Sequence, residues 1–290
     1  MTTSEAINQP PSTKPADPPA RPRRPRPGWV TALGLRARAW WDDALLTLQF
    51  IGEVLLSVKR LIAGKAAMRW SDLFWQLEQA GPRSVAIVAL VSGMVGVILA
   101  YMGAVQLERV GAQAYIADLV TIGAVREVAA LMTGVILSGR LGAAFAAQLG
   151  SMQANEEIDA LRALGIDPVD HLVLPRMLAL LMMAPLLTAF AALTAIMAGG
   201  LVALVIFGVP PTEYLYKCQD ALTLPHVWIG LGKGTVYCLL VALSGCRQGL
   251  NAGRSAQAVG TAVTASVVQA IVWIVVAASA LTIAFQRLDW

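Results

Sequence analysis

A short acidic segment carries a dense group of charges in the middle of this sequence. Six charged residues, five of them acidic, lie between positions 156 and 170, although only 14% of the 290 residues are charged. Anionic lipid headgroups would repel so many carboxylates, which argues against the membrane surface as the binding partner. A protein partner fits the charge better, and an ordinary solvated loop is the alternative. The acidic residues are Glu156, Glu157, Asp159, Asp167 and Asp170.

The pattern around these residues predicts a short amphipathic helix over about 154–165. Asn155 can cap the helix, and the two glutamates that follow would place negative charge at the positive end of its dipole. Gly165 supplies a stop signal. Three apolar residues recur at helical spacing and share one face of this helix: Ile158, Leu161 and Leu164.

Three ionisable residues in an otherwise apolar stretch form a second candidate site: Arg126, Glu127 and Arg140. Such groups are costly at membrane depth and usually face a cavity or a partner. The spacing of the two arginines returns them to within about 40° of one helix face, separated by about 21 Å along the axis. Arg126, near the outer leaflet, is predicted to attract the phosphate of a lipid headgroup, and structural polar contacts are the equally weighted alternative.

The sequence lacks the residue spacings of an enzyme, a metal centre or a nucleotide site. The fragment 230–235, GLGKGT, departs from the phosphate-loop spacing and lies in an apolar stretch, where Lys233 is expected to face the interior or to snorkel. His171 and His226 have no companion ligands at metal spacing. We expect a protein that is no enzyme, holds no cofactor or metal and binds no nucleic acid.

Composition predicts that these residues belong to an all-α polytopic membrane protein. Hydrophobic residues make up 57% of the chain, and the mean hydropathy is +0.64. Positions 1–83 hold 12 of the 22 Lys and Arg residues, which is typical of a cytoplasmic juxtamembrane segment. Residues 1–39 are rich in proline and arginine and lack a signal-peptide core, so we expect a retained, disordered cytoplasmic tail.

Two amphipathic helices are predicted to lie in the headgroup layer over residues 40–83. The first spans Trp40 to Ile62, and the second runs from Trp70 to Gln79 with Ser71 as its cap. Five of the eight tryptophans fall between positions 29 and 75, as expected for helices at a membrane interface.

Residues 84–290 are predicted to form a transmembrane permease domain with five spans. The third apolar run, 177–212, is long enough for one tilted span or for a pair hinged at Gly199-Gly200. The positive-inside rule favours one span, because two would place Arg247 and Arg254 outside. The N-terminus and the acidic segment are then cytoplasmic, and the C-terminus is periplasmic. The predicted spans are 84–107, 119–153, 177–212, 226–246 and 256–285.

Three sequence blocks resemble the MlaE/YrbE family, the permease subunits of bacterial ABC systems that transport phospholipids or related lipids. The most specific is EEIDALRALGIDPVDHLVLPRMLALLMMAPLLT, residues 156–188. Residues 125–158, VREVAALMTGVILSGRLGAAFAAQLGSMQANEEI, are similar to the preceding helix of the family, and residues 258–272, AVGTAVTASVVQAIV, to its last span. The resemblance covers about Trp40 to Leu281.

This resemblance implies an MlaE-like homodimeric permease in the bacterial inner membrane that contributes to the lipid asymmetry of the outer membrane. The acidic helix would be a coupling helix that docks into a separate cytoplasmic ABC ATPase. A periplasmic lipid-binding subunit of the MCE type and often a STAS-domain protein complete such systems. The expected ATPase-coupling residues are Glu156, Glu157, Ile158, Asp159, Leu161, Arg162 and Asp167, and the expected lipid-binding residues are Arg126, Glu127 and Arg140.

The sequence departs from the family pattern at several positions. Where the family commonly has Arg-Glu-Leu-Gly-Pro, residues 126–130 read Arg-Glu-Val-Ala-Ala, so the helix break that Gly-Pro supplies is not expected. Gln148 stands where the family often has an acid, and residues 262–264 read Ala-Val-Thr in place of Ala-Thr-Thr.

Two other classes of function are alternatives. A self-contained secondary transporter or channel would be expected to carry paired acids in its spans and an inverted repeat, and the sequence shows neither. A membrane scaffold that only recruits a cytoplasmic protein would leave the intramembrane arginines without a role.

Overall fold

The computed structural model describes residues 29–64, 68–109, 111–112 and 115–287, and within these ranges helices are the only regular secondary structure. The chain divides into two compact units, residues 1–46 and 47–290. The described part of the first unit, 29–46, is helical. All contacts discussed below lie within the second unit.

Nine helices account for most of the described residues. They are α1 (Trp29–Ile62), α2 (Trp70–Ala80), α3 (Pro82–Glu108), α4 (Ile116–Ala154), α5 (Glu157–Ala163), α6 (Val169–Val205), α7 (Pro211–Ala221), α8 (Leu224–Leu250) and α9 (Ala256–Arg287). Five helical segments are long and apolar enough to cross a membrane: α2 with α3, α4, α6, α8 and α9. The predicted five-span all-α fold is confirmed.

The N-terminal helices differ from the prediction in two details. Helix α1 begins at Trp29, so residues 29–39 of the predicted tail are helical, because Pro27 is the last helix-breaking residue before them. The rest of that tail lies outside the described residues. Ser71 is not a helix cap, since Arg69 occupies the cap position of α2 and the Ser71 hydroxyl lies 3.5 Å from the Asp72 carboxylate.

Helix α6 is a single uninterrupted span, which confirms the interpretation that the positive-inside rule favoured. Gly199 and Gly200 do not form a hinge but allow close packing. A Cβ at Gly199 would lie 2.8 Å from Val120 of α4, and one at Gly200 would lie 2.7 Å from the ring of Tyr214 on α7. Glycine is therefore needed here for the approach of neighbouring elements.

Helix α8 lies at the centre of the packed spans. Of the most apolar stretch of α8, 56% is buried, compared with 11% of the most apolar stretch of α9. Glycines bring α8 close to its neighbours: a Cβ at Gly230 would lie 2.0 Å from the Val125 carbonyl oxygen of α4, and one at Gly234 would lie 2.2 Å from the Thr188 hydroxyl of α6. Helices α4 and α6 therefore both pack closely against α8.

Helices α4 and α6 each contain wide, π-helical turns. In α4 these turns span Ala124–Val128 and Ser138–Gly142, and in α6 the turn spans Val169–Val173. A π segment holds one more residue than the α-helical turn it replaces and often marks a functional position. All three ionisable candidates of α4 lie within its two π segments.

Two ends of the membrane domain are distinguished by their connections. We call the end with α5 and the link between α8 and α9 the acidic end, and the end with α7 the opposite end. Helix α7 is fixed at the opposite end by Tyr214, whose buried hydroxyl donates a hydrogen bond to the Ile196 carbonyl oxygen (3.0 Å). Burial raises the pKa of this phenol above its ordinary value.

Candidate functional site

The acidic helix α5 is entered through a sharp reversal of the chain. Glu156 occupies the cap position in the left-handed region, at φ 62°, which is uncommon for a residue other than glycine. Asn155 is therefore not the cap that the sequence predicted. Its side-chain amide instead donates to a Glu157 carboxylate oxygen at 3.2 Å, because the tight turn places the two side chains together outside the helix.

The end of α5 follows the prediction. Gly165 has φ +77° and its N–H donates to the Arg162 carbonyl oxygen (3.0 Å), while the Ile166 N–H donates to that of Leu161 (3.0 Å). These two bonds form a Schellman motif, which favours glycine because of the positive φ. Helix α5 is therefore short and has a well-defined end.

The apolar face of α5 is narrower than predicted. Ile158 is fully buried in the same cluster as Leu149 and Val173, and the partly buried Leu161 packs against that cluster. Leu164, by contrast, is 75% exposed, because it lies beyond the last helical residue, at the start of the Schellman turn. Two apolar residues hold α5 on the membrane domain, and the third faces away.

Arg254, in the link between α8 and α9, binds two acids of the helix. Its Nη1 lies 3.0 Å from the Glu156 carboxylate, and its Nη2 lies 2.8 Å from that of Asp159. Arg162 also reaches Asp159, at 3.3 Å. These contacts connect α5 to the start of the last span.

Arg60, near the end of α1, binds the acids that follow α5. It lies 2.7 Å from Asp167 and 2.9 Å from Asp170, whose side chain is almost fully buried. The hydrogen bond to Asp167 raises the pKa of the Arg60 guanidinium above its ordinary value, so this cation stays charged. Asp167 also accepts a hydrogen bond from the Val169 N–H (2.9 Å) at the first turn of α6.

These ion pairs use most of the carboxylates of the acidic segment for contacts within the chain. Four of its five carboxylates are bound within the chain, by Arg60 or Arg254. Sequence reasoning missed both arginines as partners, although each was placed on the same side of the membrane as the acidic segment. Three exposed residues of the segment, Glu157, Ala160 and Leu164, line a cavity of about 270 Å³. We call these three residues the cavity face of the acidic segment.

A second polar cluster lies inside the membrane domain, where Glu127 of α4 meets Lys233 of α8. The Lys233 ammonium group is fully buried, bonds to the Glu127 carboxylate and donates to the Thr282 hydroxyl of α9 (2.9 Å). That hydroxyl donates in turn to Glu127 (3.2 Å). Lys233 faces the interior, which is one of the two positions that the sequence predicted for it. The fragment 230–235 lies within a helix, which rules out a phosphate loop there.

The two arginines of α4 do not share one face. Arg126 donates to Nδ1 of His226 in the first turn of α8 (3.2 Å), whereas Arg140 bonds to the Ser84 hydroxyl of α3. The prediction assumed a uniform α-helix, and the two π segments alter the angle between these positions. Residues 129–130 are Ala-Ala and not the Gly-Pro of the family pattern, and α4 continues through them as a helix. The π segment Ala124–Val128 directly precedes the position where Gly-Pro would break the helix.

Lys233, Thr282 and His226 were not predicted as members of this site. Lys233 was recognised as an interior charge, but its partner lies 106 residues away in sequence, and helical spacing cannot reveal such a pair. Within the described residues, no group of three or more His, Cys, Asp or Glu side chains could hold a metal ion.

Comparison with known proteins agrees with this architecture. The family described as "Permease MlaE" matches residues 73–284. A probable ABC transporter permease protein of Synechocystis is 33% identical over 80% of this chain and 86% of its own length. A second one, of Rickettsia typhi, is 32% identical over 73% of this chain and 82% of its own length.

A plant protein is also similar to this chain. The Arabidopsis thaliana protein TRIGALACTOSYLDIACYLGLYCEROL 1, chloroplastic, is 30% identical over 78% of this chain and 63% of its own length. The family match runs through the five spans and the acidic segment between the second and third of them. The chain therefore belongs to the MlaE permease family.

Proposed function

We propose that this chain is the membrane subunit of an ABC transporter that moves phospholipids between the bacterial inner membrane and a periplasmic carrier. The Synechocystis and Rickettsia relatives are named as probable ABC transporter permease proteins, and the name of the Arabidopsis relative contains that of a glycolipid. The chain does not hydrolyse ATP in this proposal. A separate cytoplasmic ATPase supplies the energy through α5, so the acidic end faces the cytoplasm and the C-terminus the periplasm.

The observation that carries the proposal is the way α5 is fixed. Ile158 anchors the helix in the core, Arg254 connects it to the start of α9, and Arg60 connects the residues after it to α1. A force applied to α5 is therefore passed to three other elements. An ordinary solvated loop would not need these connections.

The contact with the ATPase is assigned to the cavity face of the acidic segment. Leu164 supplies exposed apolar area, and Glu157 supplies a carboxylate that no cation within the described residues neutralises in a salt bridge. The other expected coupling residues, Glu156, Ile158, Asp159, Leu161, Arg162 and Asp167, hold the segment in place. Apolar contacts at the centre of an interface generally contribute more to binding than exposed ion pairs at its rim.

The lipid headgroup is assigned to the polar groups of α4. Arg126, near the opposite end, supplies a cation for the phosphate, and the Glu127–Lys233 pair beside it supplies a polar wall. Arg140 lies farther toward the acidic end and bonds to α3. The walls around these groups are apolar and suit acyl chains.

The remaining partners follow from the family and from the surface of α9. Only 11% of the most apolar stretch of α9 is buried, so this helix offers a large surface to lipid or to a second copy of the chain. We propose that a second copy covers it in a homodimer. An MCE-type lipid-binding subunit would contact the opposite end. A STAS-domain protein would act on the ATPase.

The test is to purify the tagged chain and measure whether an ABC ATPase copurifies and whether lipid moves only with ATP. Leu164→Asp should abolish copurification, whereas Leu215→Asp, a change of a similarly exposed leucine at the opposite end, should leave it intact. Lipid movement without ATP or an ATPase would contradict the proposal. Arg126→Ala should abolish crosslinking of lipid headgroups, and unchanged crosslinking would reject that assignment.

A further inference from the structure

A cavity of about 210 Å³ lies between α4, α6 and α8 near the opposite end of the membrane domain. It is separate from the Glu127–Lys233–Thr282 cluster, which faces α9. Small side chains on α6 make room for it, and most of its wall is apolar. The lining residues are Val125, Thr188, Ala189, Ala192, Leu193, Ile196, Leu222, Val227 and Leu231.

The packing of α6 against α8 explains the shape of this cavity. The two helices touch where Thr188 meets Gly234, since a Cβ at Gly234 would lie 2.2 Å from the Thr188 hydroxyl. Toward the opposite end the alanines at 189 and 192 leave space between the helices. The cavity is therefore closed where Thr188 meets Gly234.

The mouth of the cavity faces the lipid. Leu193 is 53% exposed and Leu222 is 43% exposed, and Ala189 is also exposed. The volume is below the roughly 300–1,000 Å³ of pockets that enclose a complete small-molecule ligand. An apolar cavity of this size that opens to the bilayer fits a part of one acyl chain rather than a complete lipid.

A cation lies close to this cavity. The lining residue Val125 directly precedes Arg126, and Val227 directly follows His226, so the bonded Arg126–His226 pair lies next to the cavity lining. His226 is in the first turn of α8, where the helix dipole also favours an anion. The neighbouring carboxylate of Glu127 is neutralised by Lys233.

We propose that this cavity is a lateral binding site for one acyl chain of an anionic phospholipid in the leaflet at the opposite end, with its phosphate at Arg126 and His226. The site lies on the α6 side of α4, so a lipid can enter it directly from the bilayer. The headgroup part of this assignment rests on the proposed function, whereas the chain-binding part does not.

The test uses the full-length chain in nanodiscs that contain phosphatidylglycerol with a photoreactive diazirine in the middle of one acyl chain. Labelled peptides are mapped by mass spectrometry. We expect labelling to concentrate on residues 188–196 and 222–231. Ala189→Phe should reduce this labelling about tenfold, because the ring excludes about two methylene groups of the chain from the cavity.

Met102→Phe is the control, because Met102 is exposed on α3 in the same half of the domain, and its labelling pattern should equal that of the parent chain. Ala192→Leu fills the cavity from within and should act like Ala189→Phe. Equal labelling of all lipid-exposed segments, or no effect of either filling variant, would overturn the proposal.

The headgroup part is tested separately with Arg126→Gln. This variant should retain labelling of 188–196 but lose the preference for phosphatidylglycerol over phosphatidylcholine carrying the same photoreactive chain. An unchanged preference would show that Arg126 does not select the anionic headgroup. Labelling that meets these expectations in a chain that fails to move lipid with ATP would uphold the site and reject the proposed function.

Discussion

Lys233 shows how one buried charge depends on its partner. Its side chain has no exposed surface, whereas the side chain of Glu127 is 40% exposed. Removing one member of a buried pair leaves the other without compensation, and the cost is larger for the member that water cannot reach. The two halves of this pair are therefore unequal in their effect on stability.

We expect Glu127→Leu to destabilise the protein by about 3–5 kcal/mol, since it leaves the Lys233 ammonium group buried with a hydrogen bond to Thr282 but without a carboxylate. Lys233→Met should cost less, because the remaining carboxylate reaches solvent or lipid headgroups. Thermal unfolding in detergent measures both changes. A larger loss of stability in Lys233→Met would contradict this explanation.

Arg254 represents the opposite case, an exposed cation with two exposed or partly exposed partners. Exposed ion pairs contribute about 0–1 kcal/mol, so Arg254→Glu should change the unfolding temperature little. The same change should reduce the amount of lipid moved per ATP, because α5 is no longer connected to the start of α9. Transport by the purified complex, measured beside its ATPase rate, tests this prediction.

Charge reversal supplies the control for Arg254. Combining Arg254→Glu with Asp159→Arg restores one of the two ion pairs and should recover part of the coupling, whereas Asp159→Arg alone should not. If the double variant is no better than the single ones, Arg254 acts by some route other than its contact with α5.

The packing of α8 depends on individual glycines in one helix. A Cβ at Gly230 would lie 2.0 Å from the Val125 carbonyl oxygen, a backbone atom that cannot rotate away, whereas no heavy atom lies within 4 Å of a Cβ at Gly232. Gly230→Ala should therefore destabilise the protein by about 1–3 kcal/mol. Gly232→Ala should stabilise it by about 0.5–1 kcal/mol, since alanine is the better helix former.

Thermal unfolding of the two alanine variants under the same detergent conditions checks this pair. Both substitutions add the same methyl group to the same helix, so their difference isolates the contact with α4. Equal effects of the two changes would show that α8 does not approach α4 as closely as the structure has it.

The spans could be predicted from the sequence because uncharged length and the positive-inside rule constrain them strongly. The bounds of α3, α4 and α9 lie within three residues of the predicted spans, whereas α6 begins eight residues and ends seven residues earlier than predicted. The π turn over Val169–Val173 accounts for most of the earlier start. Leu164 follows Leu161 by three residues, and this helical spacing predicted a place for Leu164 on the apolar face, but the helix ends before it. The spacing of apolar residues alone could not locate that end.

The candidate sites were predicted less completely than the spans. Carboxylates in an apolar chain mark a polar site, but they do not reveal which cation binds them. Arg60 lies 107 residues from Asp167, and Arg254 lies 98 residues from Glu156, so only the fold brings these pairs together. The π segments of α4 have no composition signal either, which is why the arginines were assigned to one face.

The orientation of the chain in the membrane can be tested with single cysteines. The native residues Cys218, Cys238 and Cys246 are all buried, so an introduced surface thiol is the preferred target of a membrane-impermeant reagent. Gln219→Cys, at the opposite end, should be labelled in intact spheroplasts. Glu157→Cys, at the acidic end, should be labelled only after the inner membrane has been permeabilised. The reverse pattern would overturn the proposed coupling to a cytoplasmic ATPase.

The wide turns of α4 hold extra residues without turning the rest of the helix. Each π turn accommodates one additional residue, so deleting a single residue from Ser138–Gly142 would restore an α-helical turn and leave the direction of the helix beyond it nearly unchanged. The same deletion in a regular turn after Gly142 would rotate everything beyond it by about 100°, and Ile158 and the reversal before α5 would point away from their present positions. The π turns are therefore places where α4 can gain or lose a single codon without redirecting the acidic segment.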